Sequence, residues 1–179
     1  MRENCTIDTP NGDTLEGSLL AELKWVHTHL RHDLETCRAL ATRVLEGAPA
    51  EAVRVEIEQL QVRGPLFQMK VNCLRYCQFV HGHHGLEDAM LFPAIRLKAP
   101  ELGAEVDRLE SDHRAVSDLL DRVENETYLV EDGPDSTSRQ ALSEALSDLS
   151  DVLLEHLERE ERVLGPVLGR ATSWSELVT

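Results

Sequence analysis

Apolar residues recur along four long stretches of the chain with the period of an α-helix. In residues 15–45 they follow one another at alternating intervals of three and four positions, which places them on one helical face. The same spacing returns in residues 66–97, 101–125 and 137–168. The inward-facing stripes predicted in this way are Leu20, Leu23, His27, Leu30, Leu34, Cys37, Ala41 and Val44; Met69, Cys73, Tyr76, Val80, His83, Glu87, Met90 and Ala94; Leu102, Val106, Leu109, His113, Val116, Leu120 and Val123; and Leu142, Leu146, Leu149, Leu153, His156, Glu160, Val163 and Val167.

Helix-breaking residues separate these stretches and leave only short links between them. Gly47-Ala48-Pro49 ends the first stretch, and residues 126–136 form a predicted loop around Gly133-Pro134. Four long helices with short links predict an all-α fold, an up-down-up-down four-helix bundle, with a short extra helix at residues 51–63 between the first and second long helices.

The predicted organisation is a single domain. The bundle covers residues 15–168, preceded by an irregular arm over residues 1–14 and followed by a tail over residues 169–179 that shows no clear period.

Composition and charge narrow the function classes. Hydrophobic residues make up 41% of the chain but aromatic residues only 4%, so Leu, Val and Ala must build the core. The net charge of −15 makes nucleic acids and anionic membranes poor partners. The chain has no apolar run near the roughly 20 residues that span a bilayer and no signal-peptide pattern, and its four cysteines suggest reduced thiols. We therefore expect a cytoplasmic protein.

One histidine interrupts each apolar stripe, and a glutamate interrupts two of them. An unpaired polar group in an apolar seam costs several kcal/mol, so these residues must be partnered or coordinating. His27 and His113 each lie 12 residues after the predicted start of their helices, while His83 and His156 lie 14 and 12 residues before the ends of theirs. In an antiparallel bundle all four imidazoles therefore reach one level, which predicts a site.

Two H-x-x-x-E pairs sharpen the chemistry of this site. His83 and Glu87, and likewise His156 and Glu160, are four residues apart and share a helical face. Imidazoles combined with bridging carboxylates suit a pair of metals such as iron or manganese. A cysteine-rich structural zinc site is not expected, because no inward cysteine lies beside both pairs.

The ordered set of residues resembles the hemerythrin-like proteins, whose signature is His, H-x-x-x-E, His and H-x-x-x-E on four successive helices. Here the matching residues are His27, His83, Glu87, His113, His156 and Glu160, within segments such as FVHGHHGLEDAMLFPAI. The resemblance implies two non-haem iron ions, bridged by Glu87, by Glu160 and by an oxo or hydroxo group, with the histidines as terminal ligands. It also implies dioxygen, peroxide or nitric oxide as the small ligand.

One departure from the oxygen carriers of that family concerns the third helix. They have two histidines four residues apart there, whereas Ser117 and Leu109 flank His113 at that distance. Six protein ligands remain, and the candidates for a further one are His84, Glu161, a tyrosine or water. With six ligands, about two of roughly twelve coordination positions stay open. This count predicts rapid oxidation in air and peroxide turnover rather than reversible oxygen carriage.

Several functions stay open from sequence alone. The centre could bind or sense iron, oxygen or nitric oxide, or it could act as a di-iron peroxidase, catalase or oxidase that draws electrons from a donor protein. A third interpretation is a bundle that holds no metal. No catalytic residue is identified, although Tyr76, two turns before His83, is a candidate to support the centre. The histidines predicted to lie off the inward stripes are His29, His32 and His81, and Cys73 and Cys77 are expected to be buried and inert.

Overall fold

The computed structural model describes residues 17–46, 65–132 and 136–178, and all regular structure in these ranges is helical. This confirms the all-α class for the described part of the chain. The helices are α1 (Leu19–Leu45), α2 (Pro65–Leu86), a π-helical turn (Glu87–Leu91), α3 (Phe92–Lys98), a 3-10 turn (Pro100–Leu102), α4 (Gly103–Asp132), α5 (Ser136–Leu168) and α6 (Trp174–Val178). The predicted arm at 1–14 and extra helix at 51–63 lie outside the described residues. None of the described helices combines the length and the apolar character needed to cross a membrane.

Two boundary predictions need correction. The third long helix continues to Asp132, so residues 126–132 are helical rather than part of a loop. Thr127 is fully buried, and its hydroxyl donates to the Val123 carbonyl at 2.7 Å, so the helix keeps a packed face beyond its last apolar stripe residue. The predicted tail contains α6, which is only five residues long and too short to show a period. Its Leu177 is buried, and packing of this side chain holds α6 against the bundle.

Side-chain contacts define how the long helices run past one another. Between α1 and α5, His27 contacts Glu161 and Arg38 donates to Ser150 at 3.0 Å. Residue numbers therefore increase along one helix as they decrease along the other. On α4 and α5 the contacts pair Arg159 with Asp112 and Arg122 with Asp148, both at 2.6 Å. Each of these two helix pairs is therefore antiparallel.

The same contact pattern joins α2 to its two neighbours. Cys77 contacts the Leu120 carbonyl and Asp88 contacts His113, which makes the second long helix antiparallel to α4. Toward α1, the His27 and His83 rings lie 5.2 Å apart. Farther along, Cys37 interacts with Cys73, so residue numbers rise on α1 as they fall on α2.

The π-helical turn changes the rotational phase of the second long helix. Pro93 has no N–H to donate, so the regular ladder is interrupted near it, and the Phe92 N–H bonds to the Glu87 carbonyl five residues earlier. The widened turn carries Leu91 and Phe92 into the core and leaves Met90 56% exposed. The prediction that Met90 faces inward is therefore wrong, because a constant helical period does not anticipate the wide turn.

The core consists of two apolar clusters with a polar layer between them. On α1, Leu23 belongs to one cluster and Leu30 to the other, with His27 between them. On α5, Leu157 and Leu164 enclose Glu160 in the same way. The other two long helices repeat this order. The polar residues of all four therefore occupy one level, as their predicted depths require.

Candidate metal centre

Seven buried or nearly buried polar side chains converge in this layer. They comprise the six residues expected from sequence and one more, and they form two groups whose ligand atoms lie within 4.8 Å of one another. One group is His84, His113 and His156, and the other is His27, His83, Glu87 and Glu160.

His84 is the residue for which sequence reasoning was least decisive. It directly follows His83, and its ring stacks on that of His113 with centroids 4.0 Å apart. The side chains of two successive helical residues point about 100° apart. Both can face the interior only if the site lies in the direction midway between them. Asp88, four residues after His84, contacts His113.

The two glutamates belong to the second group, and each also approaches a histidine of the first. Glu87 places Oε1 3.4 Å from His83 Nε2 and Oε2 3.6 Å from His113 Nε2. Glu160 places Oε2 3.4 Å from His27 Nε2 and 3.7 Å from His156 Nε2. Each carboxylate thus contacts one histidine from each group. This is the placement needed for a carboxylate shared by two cations.

The converging atoms have no hydrogen-bond partners within the described residues. The Nε2 atoms of all five histidines and all four oxygens of Glu87 and Glu160 are buried and unsatisfied. Each such atom costs about 1–3 kcal/mol, so the nine together cost on the order of 10 kcal/mol. That sum is comparable with the whole stability of an ordinary domain. A bound cation would compensate this cost, because cations fit a cluster of acceptors and imidazole nitrogens.

Protonation states in the layer match metal binding. Burial lowers the pKa of His83 to about 4 and that of His156 to about 3, and burial also lowers the pKa of His84. These imidazoles are therefore neutral near pH 7 and keep a lone pair for a metal.

The carboxylates and His27 differ from one another in charge. Burial and the nearby charge of Glu160 raise the pKa of Glu87. Burial opposes ionisation of Glu160, but His27 outweighs it and lowers the Glu160 pKa. Burial likewise opposes a charge on His27, but Glu160 and Glu161 outweigh it and raise the His27 pKa. The layer thus concentrates negative charge on Glu160, where a cation would replace the proton of His27.

Acidic side chains orient two of the imidazoles from behind. His27 Nδ1 lies 2.9 Å from Glu161, which Arg31 also contacts at 2.9 Å. His113 Nδ1 lies 2.8 Å from Asp88. His156 Nδ1 lies 3.8 Å from Asp112, which is too far for a hydrogen bond. Carboxylates placed in this way fix the ring orientation and direct Nε2 toward a metal.

These supporting residues were only partly visible in the sequence. Asp88 and Glu161 each directly follow the glutamate of an H-x-x-x-E pair. Asp112 lies directly before His113, and Arg159 directly before Glu160, but nothing in their spacing shows that they contact each other at 2.6 Å.

Two candidates from the sequence do not join the cluster. Glu161, considered as a further ligand, faces the rear nitrogen of His27 and lies outside both groups. Tyr76, considered as a supporting residue, is buried, and its hydroxyl has no hydrogen-bond partner among the described residues. Burial raises the pKa of Tyr76, and the nearby Cys37, Cys77 and Asp33 raise it further.

The histidines set aside from sequence lie away from the layer. His29 is exposed, packs on the Trp25 ring at 4.1 Å and donates to the Trp25 carbonyl. His32 is exposed, and His81, on the outer side of α2, lies 3.7 Å from Asp121.

Comparison with known proteins agrees with this geometry. Residues 18–168 match the Hemerythrin family, described as the hemerythrin HHE cation binding domain. Neither the curated proteins nor the solved structures give a match. The match covers far more than half of the chain and includes every residue of the polar layer. The chain therefore belongs to the hemerythrin family of HHE cation-binding domains.

Proposed function

We propose that this protein holds two iron ions in the polar layer and uses them to bind dioxygen or peroxide. The observation that carries the proposal is the set of nine buried, unpartnered donor atoms, divided into two groups with a carboxylate reaching both. His84, His113 and His156 would hold one ion, His27 and His83 the other, and Glu87 and Glu160 would bridge them. Imidazole and carboxylate donors suit iron.

The helix contacts support the predicted topology of this centre. α1 is antiparallel to α5, α5 to α4, and α4 to the second long helix, which in turn packs on α1. We propose on this basis that the four long helices form the up-down-up-down bundle expected from sequence. Such a bundle brings residues from all four helices to one level with only short links.

The inward position of His84 changes the count on which the sequence-based chemistry rested. A bound di-iron pair would supply reversible electron exchange with an oxygen ligand. Two six-coordinate irons offer about twelve positions, and a seventh protein ligand reduces the open positions from about two to about one. This favours binding of one small molecule over the peroxide turnover expected from six ligands.

The protein groups have distinct parts in this proposal. Apolar side chains of the two clusters exclude water above and below the layer. The carboxylates behind the imidazoles hold Nε2 in place, and Glu160 carries the negative charge that favours cations. Binding or sensing of iron or nitric oxide without turnover is the alternative, and a cytoplasmic location and an electron-donor protein remain part of the proposal.

Elemental analysis tests the metal content. After anaerobic loading with ferrous iron we expect two irons per chain in the wild type. The His84→Ala variant should retain less iron, while the matched variant His81→Ala, on the outer side of the same helix, should retain two. A single zinc ion, or no bound metal, would contradict the proposal.

Mixing the reduced, iron-loaded protein with oxygen tests the chemistry. We expect oxygen uptake that reverses under vacuum and little peroxide decomposition in the wild type. Any iron-loaded His84→Ala protein should oxidise faster and decompose more peroxide, because one more coordination position opens. Rapid irreversible oxidation and equal peroxide turnover in both proteins would contradict a role for His84 as a ligand and favour the prediction made from six protein ligands.

A further inference from the structure

Three cysteines lie together in the apolar core, away from the metal centre. Cys37 on α1 and Cys73 and Cys77 on α2 are buried in the same apolar cluster and carry free thiols. Cys37 lies ten residues after His27, and Cys73 lies ten residues before His83. Because α1 and α2 run antiparallel from the contact of those two histidines, equal steps along both helices bring Cys37 opposite Cys73. The step of ten residues corresponds to about 15 Å along the helix.

The three thiols have different partners. The Cys37 and Cys73 side chains interact with each other, and Cys73 also interacts with the Thr127 hydroxyl. Cys77 instead donates to the Leu120 carbonyl on α4 at 3.8 Å. The contact between helices therefore joins Cys37 to Cys73, whereas Cys73 and Cys77, four residues apart on α2, have different neighbours.

A surface cavity reaches Cys37, one of the two interacting thiols. It has a volume of about 350 Å³ and is lined by Asp33, Thr36, Cys37, Arg75, Tyr76 and Phe79. Hydrogen peroxide is little larger than water, which occupies about 30 Å³ in the liquid. A molecule of that size fits the cavity and meets the Cys37 side of the pair. Cys73 lies behind it in the core.

We propose that Cys37 and Cys73 are a redox-active dithiol that closes to an intramolecular disulfide when hydrogen peroxide enters this cavity. A thiolate sulfur attacks one peroxide oxygen, the O–O bond breaks, and the released hydroxide takes a proton to become water. The second sulfur then attacks the resulting sulfenic acid, the S–S bond forms, the S–O bond breaks, and a second water leaves. Two thiols lose two electrons, and one peroxide becomes two waters.

The two thiols of the pair ionise differently because each acts on the other. The interaction with Cys37 lowers the pKa of Cys73, while the same interaction, together with burial, raises that of Cys37. The two thiols thus lose their first proton as a unit. The disulfide would tie α1 to α2, two helices that also supply ligands to the proposed iron site. The reaction itself needs no metal, so the inference stands independently of the proposed function.

Thiol counting after peroxide treatment tests the proposal. A Cys5→Ser background leaves the three bundle cysteines to be counted in the full-length protein, both as isolated and after chelator treatment. Treatment with peroxide, alkylation of the remaining thiols and peptide mapping should show three thiols falling to one and a Cys37–Cys73 linkage. In the same background, Cys77→Ser should fall from two thiols to none, and Cys37→Ser should keep both of its thiols.

The outcomes separate the proposal from its rivals. A Cys73–Cys77 linkage, a sulfinic acid on one cysteine, or full retention of three thiols would overturn it. Disulfide formation only in the iron-containing sample would also overturn it, because the cavity would then not be the route. Since the mapping requires no iron, its failure leaves the metal proposal untouched.

Discussion

Replacing Glu87 by methionine should have opposite effects on the metal-free and the metal-loaded protein. In the metal-free fold both Glu87 oxygens are buried without partners, and burial and the charge of Glu160 raise its pKa. Methionine has a similar length and no acceptor that must be satisfied. Removing an unsatisfied buried polar group should therefore raise the free energy of unfolding of the metal-free protein by about 1–3 kcal/mol.

The size of the effect is measurable by thermal unfolding. For a chain of this length, 1 kcal/mol corresponds to about 2–4 °C in Tm, so the metal-free variant should melt about 2–12 °C above the wild type. With iron present the order should reverse. A ligand at 100 times its Kd stabilises the wild type by about 2.7 kcal/mol. The variant lacks one of the proposed bridging carboxylates, so it should bind iron more weakly and gain less stability from it. Circular dichroism and iron analysis on both forms measure these quantities.

A matched control and a clear contrary result belong to this experiment. Glu158 is an exposed glutamate on α5, and Glu158→Met should change the stability by less than about 0.5 kcal/mol and leave the iron content unchanged. If metal-free Glu87→Met is at least 1 kcal/mol less stable than the wild type, the carboxylate has a structural role. The reasoning from unsatisfied atoms would then be refuted.

Three further predictions follow from the same layer. His83→Ala should lose iron and the stability that iron provides, whereas His29→Ala should keep both; equal iron loss would show that the helical phase is wrong. Because the folded pKa of His83 is about 4 and the unfolded value about 6.5, its contribution to stability is complete above pH 6.5 and falls as the pH drops toward 4. The metal-free wild type should therefore lose about 3 kcal/mol relative to His83→Leu between pH 7 and pH 4 in urea unfolding, and parallel pH profiles would contradict this. Glu161→Gln should weaken iron binding about 10–100-fold in a chelator competition, and a loss as complete as that of His27→Ala would show that Glu161 is itself a ligand.

The sequence was most informative where a regular period and chain position were enough. The alternation of three and four residues identified the inward faces of α1, α4 and α5, since an α-helix turns by a nearly constant angle at each residue. Counting residues from the helix ends placed His27, His113 and their counterparts at one level, because the rise per residue is also constant. The six expected residues meet in the layer for these two reasons.

Prediction from a constant helical period failed where the backbone departs from that period. It also failed where a contact joins residues that are distant in the sequence. The π-helical turn exposes Met90 and buries Leu91, which a constant angle cannot anticipate. The C-terminal end of α4 was predicted too early because Thr127 is polar and so appeared to belong to a loop. A threonine can be buried in a helix when its hydroxyl bonds to the backbone carbonyl four residues earlier.

The distinction between a ligand and its support depended on tertiary structure. Glu160 and Glu161 are neighbours of the same charge, yet one faces both histidine groups and the other faces the rear of His27. His83 and His84 are neighbours of the same type, and both face inward. Neighbouring residues differ by about 100° of helical rotation, so an error of about half that angle in the orientation of a helix changes which of the two is predicted to face the interior. The sequence was enough to predict which helices contribute polar residues, of which types and at what depth. Packing of the helices against one another decided the finer rotation of each, and with it the inward position of His84, the position of Glu161 behind His27 and the contact of Cys37 with Cys73. Which of two neighbouring residues faces the interior depends on contacts between segments that are distant in the sequence.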